Sequence, residues 1–167
     1  MKISLNWLKN FVDIPSSVTP EKLGELLTLH TAEIEEILDL ASEYDNMMIG
    51  KVLEIGRHPN ADKLVICKVD IGQNKPVQIV CGGINLFSDM LVPVAIPGAY
   101  VRWHGEGDPV KLEEAKIRGE SSFGMICAGE EIGLETDNPE GATEVKIKDL
   151  SHLQCKPGTP LSEALNK

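Results

Sequence analysis

The stretch "RHPNADKLVICKVDIG" (residues 57–72) joins a polar turn to a strand, and this junction decides the fold class. Pro59 fixes its own φ angle and restricts His58 to an extended conformation. Asn60 and Asp62 are residue types whose side chains form hydrogen bonds within turns. The lysine that follows begins a run of alternating apolar and polar residues, which is typical of a half-buried β-strand. We therefore predict a rigid turn that presents polar side chains at the end of a strand.

Short β-rich runs lie on both sides of this stretch, separated by Gly, Pro, Asn and Asp residues that favour turns. Together with one short helix at "GEEIGL" (129–134), they favour a compact barrel over a sandwich. A five-stranded Greek-key barrel is the OB fold, so we expect a mainly β protein with flanking helices. The long "VRWHGEGDPVKLEEAKIRG" (101–119) is predicted to form a protruding loop or hairpin arm. The strands are predicted at "MMIGKVLEIG" (47–56), "KLVICKVDIG" (63–72), "VQIVCGG" (77–83), "LVPVAIPGAYV" (91–101) and "TEVKIKDL" (143–150).

The first forty residues have a different pattern, which indicates helices. Ser4 is placed to cap a short helix through "LNWLKNFV" (5–12). Thr19 as N-cap and Pro20 in the first turn predict a second helix, whose apolar residues recur at helical spacing up to His30. We expect His30 to be a core or interface residue. The following "AEIEEILDL" (32–40) contains strong helix formers, but we predict it to be extended.

The composition indicates a globular protein of one or two domains that does not bind its partners through bulk positive charge. The 167 residues are 42% hydrophobic and 25% charged, with a net charge of −10. Because this charge repels other polyanions, duplex DNA and anionic membranes are excluded as general partners. No apolar run approaches the length of a membrane span and no signal peptide is recognisable, so we predict a cytoplasmic protein.

The four cysteines do not form a recognisable metal or redox motif. Cys67, Cys81, Cys127 and Cys155 are scattered without a CxxC pair, and the first two lie in apolar runs. We therefore expect buried, reduced thiols. A redox or metal enzyme remains an alternative, but no pair among the cysteines and histidines has ligand spacing.

A second segment, "KIRGESSFGMICAGEEIGL" (116–134), also has residues suited to binding. It combines cations, hydroxyl groups and a glycine that lets a ligand approach the backbone, before the chain re-enters the core. Taken separately, this segment is equally an ordinary Gly-rich loop, and the turn at residues 58–62 is equally a simple β-turn. The residues concerned are Lys116, Arg118, Ser121, Ser122, Gly124 and Met125.

Taken together, the two segments suggest a known family. "HPNADKL" (58–64), "RGESSFGMIC" (118–127) and then "EEIGL" (130–134) resemble the tRNA-binding module of bacterial phenylalanyl-tRNA synthetase beta chains. The same module occurs in methionyl-tRNA synthetase extensions and in free-standing tRNA-binding cofactors. The opening "MKISLNWLKNFVDI" (1–14) and "TPEKLGELLTLHTAEIEEI" (19–37) are similar to the start of the beta chain and narrow the resemblance to it.

This resemblance implies a domain organisation and a function. Residues 1–42 and 151–167 would form two parts of a small α+β lobe, into which an OB-fold tRNA-binding domain at residues 43–150 is inserted. Its partners would be tRNA and, in the full-length context, the synthetase alpha chain, with no membrane and no DNA. The active site lies on the alpha chain, and ATP and magnesium belong only to the full enzyme. We therefore expect no cofactor, no metal and no catalytic residue here, and no activity in isolation.

The resemblance also implies a binding face on the barrel. Lys63, Lys68, Arg118 and Arg102 are expected to contact phosphates, and Asn60, Asn85 and Ser121 to donate hydrogen bonds to the backbone or sugar. Trp103 beside Arg102 either stacks on RNA or covers the barrel rim. The alternative function is a subunit-interaction domain with little RNA binding. The complete set of predicted tRNA-binding residues is His58, Asn60, Asp62, Lys63, Lys68, Asn85, Arg102, Lys116, Arg118, Ser121, Ser122, Gly124 and Met125.

Overall fold

The computed structural model describes residues 2–139 and 142–166. The chain divides into two compact units, one formed by residues up to Asp39 and the other by Leu40–Leu165. The predicted domain ranges also include Met1, Glu140, Gly141 and Lys167, which lie outside the described residues. The assignment of residues 151–167 to the amino-terminal lobe stays a prediction.

The amino-terminal unit contains the two predicted helices. Helix α1 spans Leu5–Leu8, and Ser4 Oγ accepts a hydrogen bond of 3.4 Å from the backbone N–H of Trp7. Helix α2 spans Pro20–His30, and Thr19 Oγ1 accepts from the backbone N–H of Lys22 at 3.3 Å. Both predicted N-caps are therefore confirmed.

The segment after α2 is neither helix nor strand, although it contains strong helix formers, and its extended conformation stays a prediction. Gly24 is buried in α2, and a Cβ atom at this position would lie 2.8 Å from Ile37 Cδ1, so this segment packs against the helix there. His30 is not a core residue, because its side chain is exposed at the end of α2, and its predicted alternative role in an interface stays a prediction. No helix among residues 2–139 and 142–166 combines the length and the apolar character needed to cross a membrane.

The second unit is built on a five-stranded antiparallel sheet. Its strands are β1 Met47–Arg57, β2 Val65–Asp70, β3 Val77–Cys81, β4 Leu91–Ala95 and β9 Met125–Ile126, and their order across the sheet is β3-β2-β1-β4-β9. A bulge between Val52 and Glu54 in β1 changes its register against β2 and lets this long strand bend between two neighbours.

Hydrogen bonds across the open edge nearly close this sheet into a barrel. The backbone N–H of Phe123 donates to Gln78 O at 2.8 Å, and the N–H of Val80 donates to Ser122 Oγ at 3.0 Å. The segment before β9 is thereby joined to β3. In this sheet β1 lies beside β4 and β4 lies beside β9, although neither pair is consecutive in the chain. This is the Greek-key arrangement of the OB fold, so the predicted fold class is confirmed.

One predicted strand is wrong, and its place in the barrel is taken by β9. Residues 143–150 form no strand, because their backbone groups bond singly to several different segments. Lys148 N–H donates to Cys127 O at 3.3 Å, and Leu150 N–H donates to Leu91 O at 2.8 Å. The side chain of Asn85 bonds both backbone groups of Ile147, at 2.9 and 2.8 Å. A segment with scattered partners cannot form a ladder, although its apolar residues alternate.

The predicted arm at residues 101–119 contains short ribbons beside the main sheet. Strand β5 (Tyr100–Val101) pairs with β6 (Val110–Lys111), and β7 (Ala115–Ile117) pairs with β8 (Glu120–Ser122) in a tight hairpin. The predicted short helix at residues 129–134 is confirmed as a single 3₁₀ turn. The remaining elements are α3 Leu161–Ala164 and the 3₁₀ turns Ser42–Tyr44, Trp103–Gly105, Glu130–Ile132 and Ser151–Leu153.

Three of the four cysteines are buried free thiols, as predicted for these three: Cys67 and Cys81 lie in the barrel core, and Cys127 lies in a second buried cluster with Tyr44 and Met47. Burial raises the pKa of the Cys67 thiol to about 11 and that of the Cys81 thiol to about 12. Burial also raises the pKa of Cys127 far above its usual range. These thiols are therefore protonated at neutral pH and pack as small apolar side chains. Cys155 is only half-buried.

The segment after residue 150 packs onto the first strand of the barrel. Ile49 N–H donates to Thr159 O at 2.9 Å, and Gly158 N–H donates to Ile49 O at 2.8 Å. Leu161, in α3, is fully buried in a cluster with Tyr44 and Met47. One edge of β1 is therefore covered by residues far along the chain.

Candidate nucleic-acid interface

The β1–β2 turn is ordered around the imidazole of His58, which is only 6% exposed. His58 Nδ1 accepts a hydrogen bond of 3.0 Å from the backbone N–H of Asn60. The turn closes where His58 N–H donates to Leu64 O at 3.3 Å. Asp62 and Lys63 lie at the exposed tip. The predicted rigid turn is thus present, with its histidine turned inward and its charged residues outward.

The β7–β8 hairpin carries the second predicted segment. Ile117 pairs with Glu120, so Arg118 and Gly119 form a two-residue turn between them. Both turn residues have positive φ angles, 52° and 100°. Such a turn matches the twist of the paired strands, but its first position normally has Asn, Asp or Gly. Arg118 is therefore held in a conformation that an arginine rarely adopts.

Two hydrogen bonds join the turn to the hairpin. His58 Nε2 lies 3.0 Å from Ile117 O, and Asn60 Nδ2 donates to Arg118 O at 3.0 Å. Because Nδ1 of the imidazole accepts a hydrogen bond, its proton must lie on Nε2, from which it is donated to the carbonyl. The two segments, which are almost sixty residues apart in sequence, are thus joined at one end of the barrel. We call these two loops, the β1–β2 turn at residues 58–64 and the β7–β8 turn at residues 118–119, the clamped rim.

Several predicted site residues are held in structural contacts. Ser122 Oγ accepts from Val80 N–H and donates to Gly124 O, each at 3.0 Å. Gly124 has a φ angle of 90°, and a Cβ atom there would collide with the carbonyl oxygen of Ala95. Met125 pairs with Ala95 in the sheet. Asn85 uses both ends of its amide on the backbone of Ile147. These residues shape the barrel, and their predicted contact with tRNA stays a prediction.

Other predicted residues are exposed and available. Lys63, Lys116 and Arg118 have no ion-pair partner among residues 2–139 and 142–166. In contrast, Lys68 Nζ lies 2.6 Å from Glu54 Oε2. Ser121 is exposed on β8. The clamped rim therefore presents the unneutralised cations of Lys63 and Arg118, whereas Lys68 on the neighbouring sheet face is neutralised by Glu54.

A shallow groove of about 400 Å³ runs between β3 and the β7–β8 hairpin. Gln78 spans its floor, where Nε2 donates to Ser121 O at 2.9 Å. Lys116 and Glu114 lie along its hairpin wall and Val77 and Phe123 add apolar surface. The groove extends the surface of the clamped rim along the barrel.

Arg57 is a residue that the sequence reasoning missed. It is exposed at the last position of β1, opposite Val65 and directly before the turn. It has no ion-pair partner in the described part of the chain. Its position as the first residue of "RHPNADKL" could have indicated this, because a residue at a strand end lies on the same surface as the turn that follows it.

Arg102 directly follows β5, beside the β5–β6 ribbon. Within the part of the chain that the structure describes, no ion pair joins it to the clamped rim. Its backbone N–H donates to Glu131 O at 2.9 Å, and its side chain is exposed. Neighbouring Trp103 remains 50% exposed, so both predicted alternatives for it, stacking on RNA or covering the barrel rim, stay open. His104 has a positive φ angle of 55° in the adjoining 3₁₀ turn.

Glu131 is a buried carboxyl group below this region. Its burial raises the pKa of the carboxyl group above its usual value, although the hydrogen bond from Ala128 N–H to Oε2, at 2.8 Å, opposes this shift. His104 also opposes it electrostatically. No group of three His, Cys, Asp or Glu residues suited to a metal ion occurs among residues 2–139 and 142–166.

The fold and the clamped rim define the class of this protein. A nearly closed five-stranded antiparallel barrel, whose β1–β2 loop and last long connection meet at one end, is an OB-type barrel, a class that binds oligonucleotides or oligosaccharides through these loops. The chain belongs to the family described as "Putative tRNA binding domain", whose model matches residues 47–148.

Relatives of the whole chain have a more specific description. The phenylalanine–tRNA ligase beta subunit of Synechocystis sp. is 45% identical over 165 residues, which cover 99% of this chain and 19% of the relative. The beta subunit of Chlorobaculum tepidum is 43% identical over 166 residues, with the same two coverages of 99% and 19%. The chain thus spans about a fifth of the length of these relatives.

A solved structure gives independent support for the fold alone. The crystal structure of a MetRS related protein from Pyrococcus horikoshii superposes with a TM-score of 0.52 at 18% sequence identity. The match covers 75% of this chain and 98% of that protein.

Proposed function

We propose that this chain binds tRNA through its clamped rim, as the tRNA-binding module of a phenylalanine–tRNA ligase beta subunit. The observation that carries the proposal is the joining of two loops with unneutralised cations, Lys63 on one and Arg118 on the other. Membership of the tRNA-binding family and the identity to beta subunits supply the type of nucleic acid.

The proposed contacts fix the position of a folded RNA rather than read its bases. Lysine and arginine side chains neutralise phosphates without regard to sequence, and a set of about three such contacts gives modest affinity. The net charge of −10 opposes binding of any polyanion that does not match this surface. The preference should therefore be for the shape of tRNA over duplex DNA.

In the full-length protein, this module would contribute tRNA binding to the ligation of phenylalanine. The alpha chain would be its partner in the enzyme, which uses ATP and magnesium, and the location would be cytoplasmic. Because we assign no catalytic group to residues 1–167, the isolated chain should not support phenylalanine-dependent ATP–pyrophosphate exchange.

A titration with tRNA at two salt concentrations tests the proposal. With about three phosphate contacts, log affinity should fall with log salt at a slope of roughly −2 to −3. Affinity for tRNA should then fall roughly 15- to 60-fold between about 50 and about 200 mM salt. Duplex DNA of equal mass serves as the comparison and should bind more weakly at both concentrations. Equal binding of both nucleic acids, or none, would refute the proposal.

A second candidate is a subunit-interaction domain with little RNA binding. It is favoured by the exposed apolar side chains of the amino-terminal unit, among them Trp7 and Phe11, whose rings lie 4.9 Å apart. Aromatic side chains of this kind are enriched in protein interfaces. Co-purification with the alpha subunit, in a chain that fails to bind tRNA, would favour this second function.

A further inference from the structure

We infer that His58 and Asn60 are positioning residues, which hold the Arg118 turn in its binding conformation and do not contact RNA themselves. This inference rests on the proposed function, since it concerns how the clamped rim binds tRNA. It differs from the expectation that both side chains bind tRNA directly.

The first support is the conformation of Arg118. Its φ angle of 52° belongs to a region that side chains with a Cβ atom rarely occupy. A residue in such a conformation stays there only when its surroundings determine it. The β7–β8 hairpin itself pairs only three residues on each strand, and the bonds from His58 and Asn60 add to this support.

The second support is the position of the two hydrogen bonds. They end on consecutive carbonyl groups, Ile117 O and Arg118 O, and so fix the peptide units on either side of the Arg118 Cα atom. Fixing both peptide units fixes the φ and ψ angles between them. The direction in which the guanidinium group leaves the turn is therefore set from the opposite loop.

The third support is that both side chains already make hydrogen bonds within the protein. Both ring nitrogens of His58 are engaged, and the ring is 6% exposed. Asn60 is exposed, and one of the two N–H donors of its amide is directed to Arg118 O, which fixes the orientation of the amide. In contrast, no hydrogen bond or ion pair is described for the side chains of Lys63 and Arg118.

A double-mutant cycle on tRNA affinity tests the inference. The four proteins are the parent, Asn60→Ala, Arg118→Ala and the double variant. Loss of one hydrogen bond should weaken tRNA binding by about two- to fivefold in Asn60→Ala, which is no more than the loss expected for Arg118→Ala. If Asn60 acts through Arg118, the same substitution should change affinity less than twofold when Arg118 is already alanine. Equal effects in both backgrounds would mean that Asn60 contacts RNA directly, and would overturn the inference.

The salt dependence gives a second readout, which a purely structural role would not change. Asn60→Ala should reduce the salt slope toward that of Arg118→Ala, because a displaced guanidinium no longer neutralises its phosphate. Asn74→Ala is the matched control, since Asn74 is exposed in the β2–β3 loop at the other end of β2. An unchanged slope in Asn60→Ala, together with weaker binding, would contradict the inference.

His58 is tested with a conservative variant and an apolar one. His58→Gln keeps a side-chain N–H for Ile117 O, whereas His58→Leu keeps none. We expect His58→Gln to retain more tRNA affinity than His58→Leu, and thermal melting shows whether each variant is folded. If His58→Leu does not fold, the Asn60 cycle alone decides. A parent protein that binds no tRNA overturns the proposed function and this inference together, whereas a failed cycle in a tRNA-binding parent overturns only the inference.

Discussion

Lys68 Nζ and Glu54 Oε2 lie 2.6 Å apart, on residues that pair directly across β1 and β2. This ion pair divides the predicted phosphate contacts into two kinds. Lys68 already has an anionic neighbour, which a phosphate would have to replace. Lys63 and Arg118 have none within the described residues. The contribution of each cation to binding therefore depends on its neighbour as well as on its exposure.

Removal of the neighbouring carboxylate should activate Lys68. We expect Glu54→Gln to bind tRNA about two- to fivefold more tightly, with a salt slope steeper by up to about one unit. Folding stability should change by less than about 0.5 kcal/mol, because exposed ion pairs contribute little. Filter binding at several salt concentrations measures both quantities. Weaker or unchanged binding would mean that Lys68 lies outside the interface.

Removal of an unneutralised cation should have the opposite effect. Lys63→Ala or Arg118→Ala should cost on the order of 1 kcal/mol of tRNA binding and reduce the salt slope by about one unit. Lys75→Ala is the control, because Lys75 is exposed in the β2–β3 loop at the opposite end of β2. Its affinity should match that of the parent. Parental binding by both rim variants at low salt would locate the interface elsewhere.

Gly124 should tolerate no side chain. Gly124→Ala places a methyl group against Ala95 O at a positive φ angle of 90°, so we expect a loss of roughly 2 to 4 kcal/mol in the free energy of unfolding. Gly107 also has a positive φ angle, 74°, but its Cβ position is open, and Gly107→Ala should cost only about 1 kcal/mol. Urea unfolding of the two variants separates the collision from the backbone strain. Equal losses of unfolding free energy in the two variants would contradict a collision between the new methyl group and Ala95 O.

Glu131 should make folding stability fall as the pH rises. Because burial raises its pKa from the ordinary 4.5, its contribution is complete below pH 4.5 and is lost as the pH rises through the folded-state pKa. Gln keeps an oxygen that can accept from Ala128 N–H, so Glu131→Gln should be more stable at pH 7.5 by roughly 0.5 to 2 kcal/mol. The difference should shrink toward pH 4.

Exposed Glu144 provides the control for this measurement. Glu144→Gln should follow the parent's stability across the same pH range, as measured by denaturant unfolding. A Glu131→Gln variant that follows the parent as well would show that the buried carboxylate carries no such cost.

The strands of the barrel were predictable where the chain alternates and contains β-branched residues, as between Met47 and Ala95. Strand β9 has only two residues, Met125 and Ile126, and no periodicity can be recognised in so short an element. Residues 143–150 show the reverse case, in which an alternating pattern lacks a continuous partner. Sequence gives the tendency of a segment to form a strand, but pairing requires a neighbour that only the fold supplies.

The same limit applies to the site. The residue types and the two segments were predictable, because turns with Pro, Asn and Gly have local causes. The inward direction of His58 was not, since its partner Ile117 O belongs to a backbone group 59 positions away. The neutralisation of Lys68 likewise depends on the register of β1 against β2, which includes a bulge.

The hydrogen bonds of Ile49 to residues 158 and 159 have a consequence for the order of folding. The bonded groups are about 110 residues apart in sequence, so their contact closes a very long loop and costs chain entropy that local pairs do not. Contacts of such high sequence separation slow the folding of β proteins. Leu161 must be synthesised before the cluster around Tyr44 and Met47 can close, so β1 cannot acquire all of its neighbours until residues 158–161 have been made.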